Sequence, residues 1–174
     1  MGPRPTEEDD SDGAVVTLDE QDRRHWNTGM VVRGISLLND SLVRTGQQAD
    51  AYQLQAAIAA EHARAARSED TDWTEVLRLY DLLVSVAPSS AAGLARAVAA
   101  AEALGPAVGL SLLAELQPDP RWHAVRAELL AREGRYDEAA PALTASLAGP
   151  STQPEREYRE RRLATFLELG AAGS

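Results

Sequence analysis

Cysteine is absent from the chain, which excludes a disulfide framework, a thiolate nucleophile and a cysteine-ligated zinc site. Aromatic residues make up only 5%, too few for a β-sandwich core and in keeping with small-residue helix packing. No apolar run reaches 18 residues and nothing resembles a signal peptide, so a cytoplasmic chain without a membrane partner is expected. Positive charge is scarce: 17 Lys and Arg stand against 27 Asp and Glu, a net charge of −10. An acidic body repels phosphate backbones, so no nucleic acid should be bound directly by this chain. Gly-rich phosphate loops, H-E-x-x-H and G-x-S-x-G are also missing. The three histidines, His25, His62 and His123, are far apart and no pair has metal-ligand spacing. They read as structural or surface groups, so neither a metal nor a cofactor is implied.

What remains is an alanine-rich chain of 174 residues, 44% of them hydrophobic, enough for one domain with a real core. Residues 1–13 carry "EEDDSD" and read as a disordered acidic tail. Residues 14–170 read as a single helical domain, with 171–174 as a frayed end. "TLDE" at 17–20 is a capping box that opens a helix over roughly 18–44, closed by Gly46. Further helices are expected over about 49–66, 72–86, 90–103, 106–116, 120–133, 136–148 and 155–169. Their punctuation is explicit: Asp70 or Thr71 as a cap, Pro88 as a stop, Ser89 or Ser90 as a cap. Gly105-Pro106 and Asp119-Pro120 form cap-then-proline pairs, Gly134 is a break, and Thr152 with Glu155 makes a second box. Pro141 falls early in its helix, where proline does least damage. No segment alternates with period two, so no strand is expected.

Helix pairs recur at a spacing close to the tetratricopeptide period. "AELLAREGRYDEAAPALTASL" is the best match, with Ala127, Gly134, Tyr136, Ala139 and Leu143 at the small, turn, aromatic, small and large positions. The expected fold is all-α, a tetratricopeptide-like α–α stack of about eight helices.

The helix around "YQLQAAIAAEH" holds the candidate chemistry. Leu54, Ile58 and Glu61 recur at i, i+4 and i+7 and share a face, while Gln55, Ala59 and His62 form the adjoining stripe. A carboxylate in line with two core residues must be paired, hydrated or protonated. Glu61 either reaches the edge of the apolar face and pairs with an arginine, or forms a polar pocket with His62 and Gln55. Asp22, Arg23 and Trp26 read as a helix-end charge set with a packed indole, or as one wall of that pocket. Asp72 and Trp73 admit the same two readings, since an acid in a first turn is favoured by the helix dipole alone. Trp73, Leu77, Tyr80 and Val84 form one stripe of their helix, and Leu79, Leu82 and Val86 a second, which predicts cover on two sides. Arg96 is a snorkelling surface cation, or a counter-ion for Glu61 or an acidic ligand.

"LDEQDRRHW", "YQLQAAIAAEHARA", "DTDWTEVLRLYDLL" and "GRYDEA", in this order and spacing, resemble the C-terminal tetratricopeptide-like extension of actinobacterial extracytoplasmic-function RNA polymerase sigma factors, of the sigma-70 family. The resemblance covers roughly residues 14–165, and "YQLQAAIAA" followed by "DTDW" is its specific part. In that family the extension sits behind two DNA- and polymerase-binding domains, which implies a role in transcription regulation through protein or ligand contacts. The promoter-binding domains are not expected in this chain, which carries Glu61 where the family looks apolar and Ala95 where Asn is expected.

Two functions follow as expectations. One is a regulatory interaction module that binds a protein partner or a ligand. The other is a stand-alone protein of actinobacterial specialised metabolism that binds or converts a small molecule by cyclisation, isomerisation or hydrolysis. There Glu61 and His62 would be the catalytic acid–base pair, and Trp26, Trp73 and Tyr80 the walls.

Overall fold

The computed structural model describes residues 50–65 and 70–173. The tail 1–13, the helix expected over 18–44, and with it Asp22, Arg23, His25 and Trp26, lie outside the described residues. The described chain is all-α. Seven helices follow in order: α1 (Ala51–Arg64), α2 (Trp73–Val86), α3 (Ser90–Leu104), α4 (Pro106–Leu113), α5 (Pro120–Arg132), α6 (Tyr136–Ser146) and α7 (Gln153–Gly173). No strand occurs among the described residues. Each of the seven corresponds to a helix expected from the sequence, and the last runs on to Gly173, past the expected end at 169.

Local chemistry starts and stops these helices. At α1, Asp50 Oδ1 accepts from the Gln53 N–H while Gln53 Oε1 accepts from the Asp50 N–H, both at 2.9 Å, a reciprocal box that satisfies two orphan donors. The cap of α2 is Asp72, whose carboxylate accepts from the Glu75 N–H at 3.0 Å; it displaces Asp70 and Thr71 from that role because the first helical residue is Trp73. Ser89 caps α3 through the Ala92 N–H at 3.1 Å. Asp119 caps α5 through the Trp122 N–H at 2.7 Å, with Pro120 at the first helical position. Gly134 takes φ +74° between α5 and α6, a backbone that a Cβ would strain. The Thr152–Glu155 box forms at α7, with the Thr152 N–H donating to Glu155 at 2.8 Å. Pro141 lies inside α6 rather than in its first turn, and the helix continues through it.

Helices pack on their sequence neighbours, and α3 also reaches α5, so the pairs stack in register. The core lies along the stack in three parts. Leu54 and Ile58 of α1 meet Leu79 and Leu83 of α2 and Ala92 of α3. Leu94, Ala97 and Ala101 of α3 meet Leu113 of α4 and Leu129 of α5. Ala127 and Leu130 of α5, Ala139 and Leu143 of α6, and Phe166 of α7 form the third part. Small residues set the approach distances. A Cβ on Gly109 of α4 would stand 2.7 Å from the Ala97 carbonyl oxygen and 2.9 Å from Leu129 Cδ1. At the third part, Ala127, Ala139 and Leu143, three of the five repeat-like positions, are buried. On α2 the buried set is Val76, Leu79 and Leu83, while Leu82 and Val86 are exposed, so of the second stripe expected to be covered only Leu79 is.

Two ion pairs run across alternate helices. Glu102 of α3 binds Arg132 of α5 at 2.5 Å, and Glu128 of α5 binds Arg162 of α7 at 2.5 Å. Glu128 and Arg132 are one turn apart on α5, so the two pairs share one helix face.

Candidate functional site

α1 and α2 are antiparallel neighbours joined by a short connection. The start of α1 and the end of α2 share one cluster, with Ala51 and Ala87 at its margin. The end of α1 meets the start of α2, where the His62 ring stands edge-on to Trp73, centroids 5.3 Å apart. α3 then packs against α2 and opens a cleft of about 230 Å³ at the first of these two ends. Ile58 and Leu83 form its floor, and Ala91, Ala92 and Ala95 of α3 form one wall. Gln55, Tyr80 and Ser89 bring the polar groups.

The electrostatics of the cleft are neutral. Burial pushes the Tyr80 phenol above its ordinary value of 10.0, so it stays protonated and donates. The Ser89 hydroxyl oxygen already accepts from the Ala92 N–H, which leaves its O–H to donate. Gln55 is exposed and offers a carboxamide, a donor and an acceptor side by side. Among the described residues, no Asp, Glu, His, Lys or Arg lines the cleft.

The residues singled out in the sequence divide between the two ends of the α1–α2 seam. Gln55 and Tyr80 meet in the cleft. Towards the other end of the seam, about 10 Å of rise away, lie His62, seven residues after Gln55, and Trp73, seven residues before Tyr80. Glu61 is mostly covered, and its carboxylate pairs with Arg64 one turn on. That is the edge-pairing reading of Glu61, and neither Glu61 nor His62 lines the cleft. Asp72 is engaged as the α2 cap. Arg96 binds Asp81 of α2 at 2.6 Å, so its counter-ion is Asp81 rather than Glu61. Ser89, expected only as a cap, and the three alanines of α3 are cleft-lining residues that the sequence did not single out. Their signal was the Pro88-Ser89 start of α3, which places a hydroxyl opposite Tyr80. Among the described residues, no three His, Cys, Asp or Glu are grouped to hold a metal ion. No helix among them is long and apolar enough to cross a membrane.

An uncharacterized protein of Rhizobium meliloti (strain 1021) is 36% identical to this chain over 158 residues. The alignment takes in 88% of the chain and 37% of that protein, so the chain spans well under half the length of the curated relative it matches. No protein-family model and no solved structure matches the chain.

Proposed function

We propose that the chain is a regulatory interaction module, related to the C-terminal helical extension of an extracytoplasmic-function sigma factor, that binds a protein or ligand rather than DNA. The observation that carries this reading is the uncharged cleft between α1, α2 and α3. Gln55 and Ile58 of its lining belong to "YQLQAAIAA", the specific part of the resemblance, Tyr80 and Leu83 to the helix that follows "DTDW", and the remaining wall to α3. A cleft whose described lining has hydrogen-bonding groups but no Asp, Glu, His or Lys suits recognition. The catalytic alternative needs Glu61 and His62 at the cleft, and they sit two turns away, one against Arg64 and the other against Trp73. The net charge of −10 supports a protein or ligand partner over a phosphate backbone.

The test is direct binding. The purified chain is titrated calorimetrically with core RNA polymerase, and separately with the promoter-binding domains of an extracytoplasmic-function sigma factor. Promoter duplex is run in a gel shift at about 150 mM salt, where long-range attraction is screened. A complex with either protein and no shift of the duplex is the expected result. A salt-sensitive shift of the duplex by this chain alone, or no complex with either protein, would overturn the proposal.

A further inference from the structure

Resting on the interaction-module reading, we infer that the α1–α2–α3 cleft takes one branched aliphatic side chain presented on an uncharged main-chain segment of the partner. The size argues for a side chain. At about 230 Å³ the cleft falls below the roughly 300–1,000 Å³ of sites that enclose a whole small molecule or cofactor. An anchor residue seated in a small pocket is the usual way a partner segment concentrates its binding energy.

The lining argues for an aliphatic one. Ile58 and Leu83 are buried at the floor, and alanine methyl groups at 91, 92 and 95 make the wall. This leaves width for a branched chain, with the Tyr80 ring the one aromatic group among the described lining residues. The polar groups argue for a main chain above it. Gln55 is exposed at the cleft and makes no hydrogen bond to another described side chain or backbone group. Its carboxamide presents one N–H and one C=O in a plane, the complement of a peptide unit. The Tyr80 and Ser89 hydroxyls are two further donors for a carbonyl.

Charge argues for an uncharged segment. A carboxylate or ammonium placed in the cleft would lose water and meet no counter-charge from the described residues, none of which brings a charge to its lining. The nearest ionic groups in sequence, Asp81 and Arg96, already neutralise each other.

Three capped single amino acids serve as probes of the full chain by ¹⁵N-resolved NMR: N-acetyl-leucinamide, N-acetyl-lysinamide and N-acetyl-glutamic acid amide. N-acetyl-leucinamide should move the Gln55 side-chain amide signals saturably, with a midpoint of about 1–10 mM, the range open to a ligand of about a dozen heavy atoms. The two charged probes should bind at least about 5-fold more weakly. Ala91→Trp, at an exposed position that fills the mouth, should abolish the shifts. Gln55→Ala should weaken binding about 5-fold, read from the other cleft signals, and it leaves every core contact in place. The inference is overturned if the neutral probe gives no saturable shift, if a charged probe binds equally well, or if the shifts survive both substitutions. A chain that fails here and still binds polymerase or the sigma-factor domains retains the interaction-module reading and loses only the cleft assignment. A chain that passes here and binds neither protein loses the sigma-factor relation and keeps the cleft.

Discussion

The two ends of the stack are built from similar residues and reach opposite results. Around α5, α6 and α7 the inter-helix space is closed: Ala127 and Ala139 are fully buried, and the chain's one phenylalanine, Phe166, plugs the gap at 1% exposure. Tyr136 and Arg162 pack over its ring, the guanidinium carbon 4.7 Å from the centroid. Around α1, α2 and α3 the aliphatic residues Leu54, Ile58, Leu79 and Leu83 are buried, but among the described residues no aromatic ring is buried with them and alanines line a cleft. Tyr80 is only partly buried and Trp73 lies at the far end of the seam. An alanine wall closes a joint only when a bulky partner fills it. Without that partner it leaves a cleft.

Removing the plug tests this contrast most severely. Phe166→Ala should lower stability by about 3–5 kcal/mol, the range for emptying a buried aromatic site, read as a lower urea midpoint. A loss below about 1 kcal/mol would mean that α7 is docked by something other than this ring, and the closed end would no longer differ from the open one.

A smaller effect is expected where the closed end begins. Asp119→Ala removes the α5 cap and should cost about 1 kcal/mol near neutral pH. The backbone N–H of Trp122, aided by Arg121, holds the Asp119 carboxyl below its ordinary 3.8. A depressed folded-state value means the contribution is complete above about 3.8 and is lost as pH falls through the folded value. The stability gap between the native chain and the variant should therefore close in acid. A gap that stays constant down to pH ~2 would show that the cap's contribution is steric rather than ionic.

The smallest effect belongs to the open end. Glu61→Gln breaks a largely local pair with Arg64 and should change stability by less than about 1 kcal/mol. Its affinity for N-acetyl-leucinamide should stay within about 2-fold of the native chain. A larger loss of affinity would bring Glu61 back to the cleft and reopen the catalytic reading.

Helix starts were legible in the sequence because their chemistry is local. Asp119-Pro120, Gly105-Pro106 and Thr152 with Glu155 each carry their own signal within four residues, and each stands at a helix start. Leu54 and Ile58 were legible as core because helical period alone puts them on one face. The cleft was less so. Gln55 stood out as a polar group on an apolar helix and Tyr80 as an aromatic wall, but Ala91, Ala92 and Ala95 look in sequence like any buried alanine. Pairing across helices was hidden as well: Arg96 and Asp81 are 15 residues apart, and nothing local joins them. Glu61 illustrates the limit. Period placed it in line with the core, and only the side chain's reach back to Arg64 decides that it stays at the edge.

The contact at Gly109 also constrains what a relative of this chain can look like. Its missing Cβ leaves space that the backbone oxygen of Ala97 already borders at 2.7 Å, and backbone, unlike a flexible side-chain tip, does not turn aside. The position is thus a one-letter site: drift elsewhere in α4 can trade one aliphatic residue for another, but here every other residue type forces α3 and α4 apart. A homologous sequence that keeps glycine at this point is compatible with the same stacking distance through the middle of the molecule. One that has replaced it must have changed the spacing between α3 and α4.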